Sequence, residues 1–317
     1  MAALTGLMLL ACQPDSGSPL IFSGVCDASA TVRIERGRLL VAYDEVNSVY
    51  AFDSGGGSVL QSYRLNDVLD LTEDSEMDLE AAALHDSGIW WIGSHGRDGD
   101  AAAAPNRELL FKTNIPSPDT NVIGLMDGPY NLTEVLNRTI GELANAGDFK
   151  TAAPKNGGIN IEGLAVNSEG NFLIGMRSPL SAGSSGEAFV LQLVLDDGVF
   201  AVVDSHQLDL DDRGVRDLAL TDDGFLLIAG GVAGGGRFSI YEWSVSETAK
   251  KLLDLPAGFN AESLVNMGSH WLVMSDDGKI ERPRKKKDNT TCDKIFRNSP
   301  AENNESVFFR GLILSTS

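Results

Sequence analysis

From Leu20 onward, apolar and polar residues alternate with a period of two, and turn formers break the alternation every few residues. That period sends successive side chains to opposite faces of a strand. A two-strand unit recurs five times, at 28–32 with 38–44, 79–83 with 89–95, 161–165 with 171–177, 215–219 with 225–231, and 261–265 with 270–276. The registers agree: Ser29 to Val41, Glu80 to Ile92, Glu162 to Ile174 and Arg216 to Ile228 each span 12 residues, and Glu262 to Val273 spans 11. Turns such as Asn167-Ser168-Glu169-Gly170 and Thr221-Asp222-Asp223-Gly224 join the paired strands. Copies start 51, 82, 54 and 46 residues apart. A unit of about 50 residues holds a four-stranded antiparallel blade. The expected fold is all-β, a single β-propeller of five blades. The 82-residue gap leaves room for an insertion or a degenerate sixth blade. Strands at 20–22 and 307–314 are expected to share one blade and so close the ring, removing open edges.

Helical periodicity is confined to that gap. Asn131 with Glu134 makes a capping-box-like start, Leu132, Val135, Leu136, Ile140 and Leu143 share one face, and Gly147 suits the stop. This predicts one amphipathic helix around 131–147, either covering an edge strand or laid over the ring as a lid.

Residues 1–12 read MAALTGLMLLAC. The run into Cys12 is similar to the lipobox of bacterial lipoproteins, with Cys12 as the lipidated residue, although no Lys or Arg precedes it. Residues 13–19 are polar and turn-rich, as in a tether, and 20–317 form the propeller domain. The expected location is the bacterial envelope, lipid-anchored and facing the periplasm from the outer membrane. Export permits disulfides, and Cys26 with Cys292, near the two ends of the folded region, is then either a clasp or two buried thiols.

The charge is −20, from 25 Lys+Arg against 45 Asp+Glu, which argues against nucleic acid as a partner. The repeat register brings residues from distant segments to one channel mouth. Strand starts supply Asp27, Asp78, Glu80, Asn160, Glu162, Arg216, Asn260 and Glu262, and strand ends supply Asp44, His95, Arg97, Arg177 and Asp276. Glu80, Asn160, Glu162 and Glu262 are hard oxygen donors suited to Ca2+. Arg97, Lys155, Arg177 and Arg216 suit an anionic ligand. His95, in Gly93-Ser94-His95-Gly96-Arg97, is the candidate general acid/base. The same Glu and Arg residues could instead satisfy one another across the channel. No zinc-type cysteine pair, P-loop, His-Glu-x-x-His or Gly-x-Ser-x-Gly pattern occurs. The run Gly230-Gly231-Val232-Ala233-Gly234-Gly235-Gly236 reads as a blade loop. Arg282-Pro283-Arg284-Lys285-Lys286-Lys287 reads as a solvated hairpin tip.

The stretches Asp27-Ala28-Ser29-Ala30, Asp78-Leu79-Glu80, Trp91-Ile92-Gly93-Ser94-His95-Gly96-Arg97, Pro105-Asn106-Arg107-Glu108 and Gly157-Gly158-Ile159-Asn160-Ile161-Glu162-Gly163-Leu164 resemble a bacterial family catalogued as domain of unknown function 3616. The Glu-Gly-Leu-Ala core also resembles phytase-like propellers with esterase activity. The first resemblance implies a propeller and no established activity. The function expected from the residues is a monomeric, exported binding module for a small anionic or sugar-like ligand, with Ca2+ as a candidate cofactor. The alternatives are a metal-assisted phosphoester or ester hydrolase and an envelope interaction scaffold without a small-molecule site.

Overall fold

The computed structural model describes residues 12–14, 17–72, 75–117, 122–143, 148–182, 186–282, 290–298 and 306–316. Among them, strands gather into five blades around one axis, antiparallel apart from the parallel pairing of Gly57–Ser58 with Leu20–Ser23 in the closing sheet. Blade I pairs Ala30–Ile34, Arg38–Tyr43, Ser48–Asp53 and Gln61–Arg64 in that order. Blade II runs Leu79–His85, Gly88–Gly93, Leu110–Asn114 and Leu125–Tyr130. Blade III runs Asn160–Val166, Phe172–Ser178, Ala188–Asp196 and Val199–Leu208. Blade IV runs Gly214–Leu220, Phe225–Gly230, Ser239–Trp243 and Lys250–Asp254. The first strand of each blade touches the first strands of both neighbours, and Ala261–Asn266 of blade V returns to Ala30–Ile34, so the ring closes.

Blade V is the closure. Ala261–Asn266 and His270–Ser275 are followed by the C-terminal strand Phe308–Thr316, which pairs antiparallel with the N-terminal strand Leu20–Ser23. The backbone of Cys12–Pro14 pairs with the last residues of the same C-terminal strand. Residues 1–11 of the proposed signal segment and 283–289, with most of the basic run, lie outside the described residues.

The second strand of a blade is buried on both faces while the outermost strands are largely exposed, which explains near-continuous apolar runs such as Phe225-Leu226-Leu227-Ile228-Ala229. Phe225, Leu227 and Ala229 pack toward blade III, and Leu226 and Ile228 toward blade V. The core is therefore five apolar layers, one between each pair of neighbouring blades. Close approach selects small residues at these layers. A Cβ on Gly214 would lie 2.0 Å from the Arg177 carbonyl oxygen, so only glycine lets the start of blade IV pass the end of the second strand of blade III.

The helix in the long gap spans Thr133–Leu143. Asn131 Oδ1 accepts the Thr133 N–H at 2.8 Å, a side-chain cap, while residues 144–147, with the Gly147 stop, lie outside the described residues. Val135, Leu136 and Ile140 are buried with Trp90 and Leu110 of blade II and Phe172 and Phe200 of blade III. The helix touches the outermost strand of blade III, so it covers an edge rather than the channel.

Cys26, just before blade I, forms a disulfide with Cys292, which opens the short helix Cys292–Asn298 inserted in blade V. Their Cα atoms are 5.8 Å apart across 266 residues of sequence.

Candidate functional site

One register position of the innermost strands holds Ser29, Glu80, Glu162, Arg216 and Glu262, one residue from each blade. In blades II to V the strand pairing slips at this position, between Leu79 and Ala81, Ile161 and Gly163, Val215 and Asp217, and Ala261 and Ser263. Each slip is a β-bulge whose extra residue is left out of the ladder. Four bulges thus re-aim Glu80, Glu162, Arg216 and Glu262 toward one another.

Arg216 bridges two of them. Its Nε lies 2.8 Å from Glu162 Oε2, its Nη1 donates to Glu162 Oε1 at 3.2 Å, and its Nη2 donates to Glu262 Oε1. Arg177, from the end of the second strand of blade III, donates to Glu162 Oε1 at 2.5 Å, and Asn160 Nδ2 donates to the same oxygen at 2.8 Å. Glu162 is 1% exposed and Arg216 3%, so this belt is desolvated. Burial works against the Arg216 charge, but Glu162 and Glu262 outweigh it and hold the guanidinium's pKa above its usual value.

Around the belt stand further acids. Asp78 accepts from Ser94 Oγ and, at 2.9 Å, from Arg107 Nη1. Burial raises its pKa, and Arg107 acts in the opposite sense. Asp27 is pushed well above the carboxylate range by burial, then by Asp276 and Asp44. Asp44 rises to about 8 through burial, then Asp78 and Asp276, and a side-chain hydrogen bond with Asp27 opposes the rise. Glu80 also rises well above its usual value, through burial and then Glu162 and Asp78; no hydrogen-bond donor reaches its carboxylate among the described residues. Glu262 is raised by burial despite Arg216. Asn260 Nδ2 donates to Asp276 at 2.7 Å, and its Oδ1 has no partner among the described residues. Seven carboxylates (Asp27, Asp44, Asp78, Glu80, Glu162, Glu262, Asp276) therefore share this mouth with three guanidiniums (Arg107, Arg177, Arg216).

The other expected site residues lie elsewhere. His95 is buried; its Nδ1 donates to the Gly93 carbonyl at 3.0 Å and its Nε2 accepts the Leu132 N–H at 3.2 Å. Burial lowers its pKa to about 4, so the ring is neutral at pH 7, with both nitrogens engaged by backbone. As placed, His95 anchors the turn entering the 133–143 helix, and the nearest charge acting on it is Glu108, not a belt carboxylate. Arg97 ties two loops by donating to the Lys150 and Ala101 carbonyls, and Lys155 is exposed on the turn Pro154–Asn156. Among the described residues, no group of three or more His, Cys, Asp or Glu converges closely enough to hold a metal ion, so the four donors expected for Ca2+ are gathered but not disposed as a cage. Arg107 was not singled out from sequence. It comes from the loop between the second and third strands of blade II, outside the repeat register, and only its place in Pro105-Asn106-Arg107-Glu108 marked it. The Gly-rich loop lies against the belt, where Arg177 Nε donates to the Val232 carbonyl at 3.0 Å.

No curated protein matches the chain in sequence. Among solved structures it is similar to Myxococcus xanthus glutaminyl cyclase, at 8% identity and a TM-score of 0.48, covering 96% of this chain and 97% of that one. It is also similar to the PQQ-bound aldose sugar dehydrogenase of Streptomyces coelicolor, at 12% identity and a TM-score of 0.46, covering 96% and 100%. Virginiamycin B lyase from Staphylococcus aureus matches at 9% identity and a TM-score of 0.42, over 93% and 98%. Likenesses this distant transfer no chemistry. The family model is specific: it covers residues 27–108 and 130–290, which hold the five innermost strands, the four bulges and the acidic mouth, and the chain belongs to the protein family of unknown function DUF3616.

Proposed function

We propose that the acidic mouth binds a small ligand rich in hydrogen-bond donors, sugar-like and neutral or cationic. The observation that carries this reading is the surplus of carboxylates, with Glu80 lacking any donor beside guanidiniums that are already paired. Glu80 is only partly buried at the mouth, so ligand hydroxyl or ammonium groups entering there would supply the donors that its carboxylate lacks in the fold. The anionic half of the expectation is less favoured, because Arg177 and Arg216 are held by Glu162 and Glu262. Ca2+ is the competing occupant of the same carboxylates. A metal-assisted hydrolase has no preformed donor set here, and we derive no step through a metal. We also place the protein at the envelope through Cys12, supported by the lipobox-like run; Cys12→Ser expressed in a bacterial host should move the protein from the membrane to the soluble fraction.

The test is a thermal-shift and calorimetric panel of glucose, glucosamine, gluconate and CaCl2 on the full chain. At a hundredfold excess over Kd a bound ligand stabilises by about 2.7 kcal/mol. Glucose or glucosamine should raise Tm, gluconate should not, and Glu80→Gln should weaken binding at least tenfold. A shift with CaCl2 alone would replace the sugar-like ligand by a cation. A shift with gluconate alone would restore the anion, and no shift at all would leave the scaffold reading.

A further inference from the structure

The two ends of the ring differ in what they expose. At the end opposite the acidic mouth, the first strand of each blade turns into the second and the third into the fourth. Large apolar side chains are exposed almost only there. Leu84 and Leu220 stand at the ends of the innermost strands of blades II and IV, and Val122, Leu125, Val199 and Val245 stand in or beside connections between third and fourth strands; each is 41–66% exposed. Of the large apolar residues exposed among the described ones, only Ile21 lies in the mouth half of its blade. Single exposed apolar residues are ordinary on a protein surface, but their gathering at one end marks a face.

The N-terminal backbone reaches the same end. Cys12 pairs with Thr316, while Ser315 pairs with His270, the first residue after the turn between the first two strands of blade V. The outer edge of blade V therefore starts at this face with Cys12 and ends toward the mouth with Ser23, which pairs with Phe308. The backbone of Gln13 and Pro14 belongs to the sheet, so Cys12 is held directly against the ring. Charge narrows the partner further. The turns at this end carry exposed Asp86, Glu169, Asp197 and Asp223, which would repel an anionic lipid surface. Acyl chains on Cys12 and shallow apolar contact are then what hold the face to a bilayer, and a zwitterionic surface accepts both.

We propose that the end of the ring carrying Cys12 is a membrane-facing surface seated on zwitterionic lipid, so that the acidic mouth opens away from the bilayer. The inference rests on the lipidation of Cys12 proposed above. The protein purified from membranes of a bacterial host and reconstituted into vesicles of brominated phosphatidylcholine gives the test, with one tryptophan added at either end. Val245→Trp should lose most of its added fluorescence to the brominated lipid. Lys155→Trp, on the mouth-side turn, should lose none, and acrylamide should quench it equally with and without vesicles. Adding Leu84→Asp and Leu220→Asp to Val245→Trp should relieve the lipid quenching. The anchor is read separately, by fractionation of Cys12→Ser. Should the native chain carry no lipid, a maleimide phospholipid coupled to Cys12, the one cysteine outside the Cys26–Cys292 bridge, supplies the anchor and the same measurements decide the orientation. Quenching of Lys155→Trp, equal quenching at both ends, no quenching at either while the protein sediments with the vesicles, or quenching of Val245→Trp that survives both aspartates would each overturn the assignment.

Discussion

Arg216→Met is expected to destabilise the protein by about 3–5 kcal/mol at pH 8, because it strips the shared cation from two buried carboxylates. For a chain of this size the loss corresponds to a fall in Tm on the order of 10 °C. The loss should shrink at pH 5. The sign follows from the raised folded-state pKa values of Asp27, Asp44, Glu80 and Glu262. Between an ordinary carboxylate pKa near 4 and about 8, the folded state holds protons that the unfolded state has released. The stability these groups contribute is present below the unfolded pKa and is lost as pH rises through the folded one. Wild type should therefore weaken from pH 5 to pH 8. Arg216→Met should weaken more steeply, since Arg216 holds the Glu262 pKa down and its removal lets that pKa rise further. A second variant carrying Glu162→Gln and Glu262→Gln with Arg216→Met should recover most of the loss, as replacing a whole buried ion set commonly does. Denaturant titrations at both pH values check this. A single variant as stable as wild type at pH 8 would show that the belt carries no net electrostatic load.

Removing the disulfide with Cys26→Ala and Cys292→Ala should cost about 2–5 kcal/mol, the range for a native bridge. The bridge spans 266 residues, so its loss frees nearly the whole chain in the unfolded state. It also has a local role. The helix Cys292–Asn298 packs Ile295 and Phe296 into the layer between blades V and I, and Asp293 accepts a hydrogen bond from Tyr43 at 2.8 Å. Hydrogen exchange should therefore quicken in Phe308–Thr316 and Leu20–Ser23, which share blade V, and stay unchanged in blade III. Wild type under reductant should approach the variant's Tm. Equal stability with and without the bridge would mean that strand pairing alone holds the ring closed.

The acidic mouth was legible to different depths in different residues. Glu80, Glu162, Arg216 and Glu262 could be grouped because each sits 12 residues, or 11 for Glu262, from a landmark in its own hairpin, and a repeat converts matching register into proximity. The bulges were not legible, since a bulge is a property of pairing between two strands and leaves no obligatory residue type. Without them it could be said that these side chains share a mouth, but not that Arg216 lies between two glutamates while Glu80 stands unpaired. His95 shows the opposite limit. Its register put it at the rim, yet its ring nitrogens meet Gly93 and Leu132, and the latter contact depends on an insertion outside the repeat.

By itself the amino-acid order determined the strand pairs, the five-fold repetition, the helix in the long gap and the excess of acid, because periodicity, spacing and composition act locally or add along the chain. Only the tertiary structure decided which charges cancel and which stay uncompensated, that Cys26 meets Cys292, and that Asp217 accepts the Leu218 and Leu264 N–H groups between blades IV and V. Those outcomes depend on ångström distances between segments tens to hundreds of residues apart, and a Coulomb or hydrogen-bond energy is set by the distance, not by the residue's type.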